Sequence, residues 1–255
     1  MTKTERLEKI IDYAKQHKSA TILELANMLD VSHMTIRRDI VTLVEKNTIK
    51  VIHGGVIYQE DNHAATYQMT SARTNMFDAK QRIAKKAVTL IEPDDIIIID
   101  AGSTGELIAS FLPEGFPITV VCYALNIATI VASRPNCSLI VTGGYYHESS
   151  MILESKEGLD LLKQNRANKA FITASGVSDS LGITCSNFFE RATKHAALQT
   201  SHKGILVADS SKFGLIKTGH FADIDDFDVV ITDSDLDENL TAVFSHNSNL
   251  KFLLV

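Results

Sequence analysis

Leu7, Ile10, Ile11 and Ala14 recur at the three- and four-residue intervals that gather apolar side chains on one helix face, predicting a helix from about Thr4 to His17. Thr21-Ile22-Leu23-Glu24 has the form of a capping box, in which the Thr and Glu side chains satisfy backbone amides at a helix start. A short second helix therefore begins near Ile22 and ends near Leu29. Asp30-Val31 turns the chain, and Ser32 caps a third helix with Ile36, Ile40, Leu43 and Val44 inside. Asn47, tolerant of the left-handed conformation, closes that helix. Thr48 to Tyr58 alternates weakly about Gly54-Gly55, the pattern of a small β-hairpin.

Residues 59–75 are polar and without period, and read as a linker. A helix carrying Ala79, Ile83, Ala87 and Leu90 then opens a larger unit. Its short apolar runs are Ile96–Ile99, Ile118–Val121, Leu139–Val141, Ala170–Ile172, Ile205–Val207 and Val229–Ile231. Most are separated by helix-length segments. Continuous apolar strands imply burial on both faces, hence a parallel sheet in a Rossmann-like α/β fold. The expected organisation is a head at 1–58, the linker at 59–75 and an α/β body at 76–255. Several runs end in small polar clusters, such as Asp100-Ala101-Gly102-Ser103, Thr142-Gly143-Gly144, Thr173-Ala174-Ser175-Gly176 and Ala208-Asp209-Ser210. Open parallel sheets bind ligands at the carboxyl ends of their strands.

A net charge of −6 argues at first against a nucleic-acid partner, but the charge is uneven. Residues 1–58 hold nine Lys/Arg against seven Asp/Glu, so the body carries the whole acidic excess. That suits contact with nucleic acid at one end. No run of about 18 uncharged apolar residues suggests a membrane span, and Met1–Arg6 lacks the apolar stretch of a signal peptide. Three cysteines (Cys122, Cys137, Cys185) without a Cys-x-x-Cys pair suit a reducing cytoplasm. Nothing implies a cofactor or a metal.

Two short helices, a tight turn and a hairpin form a winged helix-turn-helix, whose second helix enters the major groove with its N-terminal residues facing base edges. The outer positions there are Ser32, His33, Met34, Thr35, Arg37 and Arg38, which can clamp phosphates or read bases. Lys50 and the wing tip His53-Gly54-Gly55 add a backbone contact, glycine allowing close approach. The alternative for the helix is a solvated face with an Arg38–Asp39 charge pair, and for the wing an ordinary turn.

The string Val31-Ser32-His33-Met34-Thr35-Ile36-Arg37-Arg38-Asp39-Ile40, followed by His53-Gly54-Gly55, resembles the head of the DeoR family of sugar-metabolism repressors. Asn47 stands where the family usually has glycine. Val51 stands where it often has arginine, so that contact is lost or passes to Lys50. The resemblance continues through Asp100-Ala101-Gly102-Ser103-Thr104, Gly143-Gly144, Thr184-Cys185-Ser186-Asn187 with Glu190, and Asp209 to Gly214. It implies a sensor with the fold of sugar-phosphate isomerases and CoA transferases, operator DNA as partner, a homo-oligomer, and release by a phosphorylated sugar. Val121 to Asn126 and Lys194-His195 echo the branch that governs deoxyribonucleoside use, which puts deoxyribose 5-phosphate first.

The effector residues so implied are Asp100, Gly102, Ser103, Thr104, Tyr123, Gly143, Gly144, Ser175, Gly176, Asn187, Glu190 and Lys212. Gly102-Ser103-Thr104 after a strand also reads as an anion site on physical grounds, because it opens a helix. Tyr123 would offer an apolar wall suited to a deoxy sugar. Blander readings stand beside these: Ser103…Glu106 and Asn187…Glu190 as helix caps, Lys212 as a surface lysine, His195 as packing, the cysteines as core. Two other functions stay open. One is a sugar-phosphate isomerase-like enzyme using Glu190, Asp209 or Asp100, and the other a DNA-bound scaffold with a dead pocket.

Overall fold

A computed structural model describes residues 2–17, 19–45, 49–52, 54–58, 67–237, 240 and 250–255. Helix α1 (Lys3–His17) leads to strand β1 (Ser19–Thr21), α2 (Ile22–Leu29), α3 (His33–Glu45) and the hairpin β2 (Ile49–Ile52) and β3 (Gly55–Tyr58). Local chemistry sets these bounds. Thr21 Oγ1 accepts from the Glu24 amide at 3.0 Å while the Thr21 amide donates to Glu24 Oε2 at 2.6 Å, a closed capping box. Asp30 takes the left-handed conformation (φ +51°) that ends α2, and the Thr35 amide donates to Ser32 Oγ at the start of α3. Leu7, Ile10, Leu25, Ile36, Ile40, Leu43, Ile49 and Val56 form one small core. Val44 is exposed rather than inside, one step past the buried stripe. Strand β1 was not foreseen. It pairs with β3 so closely that a side chain on Gly55 would strike the Ala20 carbonyl.

The body runs through α4 (Met69–Thr74), α5 (Phe77–Val88), β4 (Ile96–Ile99), α6 (Ser103–Ser110), β5 (Ile118–Cys122), α7 (Leu125–Ala132) and β6 (Cys137–Val141). The hairpin β7 (Tyr145–His147) and β8 (Ile152–Glu154) follows, then α8 (Lys156–Gln164), β9 (Ala167–Thr173), and the hairpin β10 (Gly176–Ser178) and β11 (Gly182–Cys185). The chain ends with α9 (Arg191–Gln199), β12 (Ser201–Val207), β13 (Gly219–Ala222), β14 (Val229–Thr232) and β15 (Lys251–Leu254). All six expected apolar runs join β15 in one parallel sheet of order β15-β14-β12-β9-β4-β5-β6. Ile97, Ile98 and Ile99 are at most 1 % exposed, as burial on both faces requires.

That strand order places the site. From β4 the chain winds outward through β5 to β6, then returns to the other side of β4 and winds through β9, β12, β14 and β15. The direction reverses between β4 and β9, and a crevice opens outside strand ends at such a reversal. Register puts Ile99 beside Phe171 and Ile172 beside Leu206, so the residues after β4, β9 and β12 converge at one edge.

One expectation is corrected. Within the segment read as linker, residues 67–75 are folded onto the body. Met69 is buried, and Lys80 of α5 reaches back to donate to the Ala72 and Asn75 carbonyls at 2.8 and 2.5 Å, closing the end of α4. Six polar residues give no readable period; a lysine on the next helix holds them. Among the described residues no helix is long and apolar enough to cross a membrane.

Candidate functional site

On the head, Ser32, His33, Met34, Arg37, Arg38 and Lys50 are exposed, with Thr35 partly so. Gly54 turns the wing at φ +79°, while His53, like Asn47, lies outside the described residues. Asp39 is not the partner of Arg38. It is buried, and Arg6 of α1 donates to it through Nε at 2.5 Å and Nη2 at 3.1 Å. This pair ties α1 to α3 and leaves both arginines of the outer face projecting to solvent.

In the body, a cavity of about 530 Å³ opens at the strand-order reversal. Gly102, Ser103, Thr104, Ser175, Glu190 and Lys212 line it, six of the twelve effector residues named from the sequence. Gly102 precedes α6 at φ +114°, a conformation that side chains disfavour, and a Cβ there would sit 3.3 Å from Thr173 Oγ1. No side chain caps α6: the cap position is Gly102, which has none, and Glu106 turns to Arg73 and Asn126 rather than back to Ser103. The amides at the start of α6 thus remain available to a ligand anion.

Asp100 lies beneath the cavity, fully buried. Its Oδ2 accepts from Lys194 Nζ at 2.5 Å, the Thr173 amide at 2.8 Å and Thr173 Oγ1 at 2.9 Å, and its Oδ1 accepts from the Tyr123 hydroxyl. Asp100 and Tyr123 therefore support the floor rather than line it, and Tyr123 offers no ring face to a sugar. Burial pulls the Lys194 ammonium down, but Asp100 and Glu190 outweigh it, so its pKa ends above the ordinary value. Four more expected residues also lie off the cavity. Gly144 (φ +129°) packs where a Cβ would strike the Glu154 carbonyl of β8, and it and Gly143 belong to the β6–β7 connection. Gly176 is buried in β10, and Asn187 donates to Glu190 Oε1 at 2.6 Å.

Burial raises the Glu190 pKa, opposed by Lys194 and Asn187 and reinforced by Asp100. A carboxyl raised in the fold favours folding while protonated. That contribution is full below the ordinary value of 4.5 and is lost as pH rises through the folded value. Glu190→Gln, always neutral, is thus expected to melt above the parent at pH 8 and to lose that advantage at pH 4, which paired thermal melts will read.

Lys80 and Lys212 both lie 3.8 Å from Asp209, one carboxylate between two ammonium groups, leaving the cavity wall a net positive charge. Burial lowers the Lys80 pKa, Asp209 opposing and Lys212 adding to the fall. Sequence reasoning missed Lys80, Lys194, Tyr67 and Ser150 as lining residues. Two signals were present: Lys80, Ala84 and Ala87 share a helical stripe, and Lys194 follows Glu190 by one turn. His195 is exposed off the cavity, its Nδ1 2.9 Å from the Phe221 carbonyl oxygen. Cys122 and Cys185 are core residues whose thiols burial pushes up to about 11 and about 12.

Residues 6–62 match the DeoR-like helix-turn-helix domain and residues 75–234 the DeoR C terminal sensor domain. The chain is 34 % identical to the Deoxyribose operon repressor of Escherichia coli (strain K12) over 229 residues, 90 % of each chain. It is 32 % identical to the HTH-type transcriptional regulator GolR of Listeria innocua over 240 residues, 94 % of each. Among solved structures, ribose 5-phosphate isomerase A from Methanocaldococcus jannaschii overlaps 55 % of each chain at 16 % identity and a TM-score of 0.41, a partial likeness.

Proposed function

The chain belongs to the DeoR family of transcriptional regulators, and from that premise we propose that it represses an operon for sugar or deoxyribonucleoside catabolism. It binds double-stranded operator DNA through α3 and the wing as a homo-oligomer, since one small head offers few base contacts and half-site repetition is the usual remedy. It lets go when a phosphorylated sugar fills the cavity. The observation that carries this reading is the uncapped start of α6 opening on the same cavity as Lys80 and Lys212, a seat for a dianionic phosphate.

Deoxyribose 5-phosphate is the first candidate, on the likeness to the E. coli repressor; Tyr123 no longer bears on the choice. The body is read as a sensor rather than an isomerase. Asp100 and Asp209, two of the three candidate acid–base groups, are held by lysines, and an acid or base must be positioned at the sugar carbons to work. Release is a population shift: the ligand favours an arrangement whose heads no longer match the half-sites.

Operator binding measured with deoxyribose 5-phosphate, ribose 5-phosphate and free deoxyribose tests this. The phosphate esters, deoxyribose 5-phosphate foremost, are expected to release DNA and free deoxyribose to leave it bound. Equal release by free deoxyribose would sink the phosphate seat, and light scattering of a monomer on DNA would sink the oligomer. Turnover of pentose or hexose phosphates would favour the enzyme instead.

A further inference from the structure

Ser150 precedes β8 and lines the cavity. It is 2 % exposed, yet its hydroxyl has no hydrogen-bond partner. Burying a hydroxyl without a partner costs free energy, and an acceptor on a ligand would recover it. Ser150 is also held in place from both sides. The Ser149 carbonyl accepts from the Met69 amide at 2.8 Å, and the Met151 carbonyl accepts from the Leu125 amide at 2.8 Å. Met151 itself sits at φ +59°, a conformation that persists only where the surroundings enforce it.

Arg73 approaches the Met151 sulfur at 3.8 Å and clamps Glu106, in the first turn of α6, through both carboxylate oxygens. Ser150 and the uncapped start of α6, Gly102-Ser103-Thr104, line the same cavity. Arg73 neutralises Glu106 there, so the helix start does not face an uncompensated carboxylate.

We propose that Ser150 is a specificity-determining residue of the effector site: its hydroxyl donates to an oxygen of the phosphate seated on the α6 amides. The proposal rests on the reading of the cavity as a sugar-phosphate site. It explains why a polar group is kept buried with nothing to bond, and it makes the ligand-free protein the strained partner.

The test compares the full-length parent with Ser150→Ala and Ser150→Cys by thermal melts and by titration with deoxyribose 5-phosphate, inorganic phosphate and free deoxyribose. Without ligand, Ser150→Ala is expected to melt at or above the parent Tm, because an orphaned hydroxyl has been removed. With deoxyribose 5-phosphate its Kd is expected to be about tenfold weaker, the loss of one hydrogen bond to a charged group. Ser150→Cys, similar in size but a poor donor, is expected to follow alanine. Equal Kd values for parent and alanine variant overturn the Ser150 role alone, leaving the sensor reading intact. A ligand-free alanine variant that melts well below the parent, or fails to fold, also overturns it, since the hydroxyl then serves the fold. A parent that responds to neither phosphate compound overturns the cavity reading and this inference with it.

Discussion

Asp100→Ala is expected to cost about 3–5 kcal/mol of folding stability, the usual penalty for stranding a buried charge by removing its partner. The side chains of Lys194 and Asp100 are 3 % and 0 % exposed, so water cannot replace the carboxylate. Lys194 would keep the Thr173 carbonyl at 3.2 Å, the Thr173 hydroxyl at 3.1 Å, a longer approach to Glu190 at 3.9 Å and the Phe221 ring at 5.6 Å, none of them a close counter-charge. The Tyr123 hydroxyl would lose its acceptor as well. Asp100→Asn keeps the shape and one acceptor, and should fall between. Urea unfolding followed by circular dichroism reads both. Midpoints within error of the parent would show that this carboxylate does not anchor the floor of the cavity.

Removing Arg37 or Arg38 is expected to weaken operator binding by at least about tenfold, and to lower the salt slope by about one unit wherever a phosphate contact is lost. Both side chains are exposed on α3, and the one carboxylate adjacent in sequence, Asp39, is committed to Arg6. Neither arginine packs in the core of the head, so neither substitution should move its melting temperature. Filter binding across a salt series is the measurement. Unchanged affinity and slope in both variants would mean that α3 does not face DNA.

The sequence displayed what depends on local chemistry. Thr21 and Glu24 cap α2 as their spacing requires, and five of the six apolar runs are interior strands, where double-sided burial leaves no polar positions; the sixth, β6, is an edge strand whose Leu139-Ile140-Val141 stays apolar though only partly buried. It hid what depends on distant partners. The carboxylate of Asp100 points away from the loop that carries it, toward a lysine 94 residues on, and nothing in Asp-Ala-Gly-Ser-Thr reports that direction. Tyr123 was misplaced for the same reason: its register in the strand end decided whether it faced the cavity. Strand β15 lies at the sheet edge with half its residues exposed, which erased the apolar run that betrayed the others. Gly102 is legible because its demand is local, whereas the demand on Gly144 is the close passage of Glu154, which its Gly-Gly context does not report.

The segment from Tyr67 to Asn75 is at once the last stretch of the polar connector and a wall of the cavity, contributing Tyr67, Gln68, Ser71, Ala72 and Asn75 to its lining. Chimeric regulators built on this sensor inherit a constraint from that double duty. A foreign reading head joined at residue 76, where polarity alone would place the seam, deletes one side of the ligand chamber. The graft would still grip its operator but would be deaf to the sugar. Joined ahead of Tyr67, the same head keeps the chamber whole, and the new operator comes under the old signal.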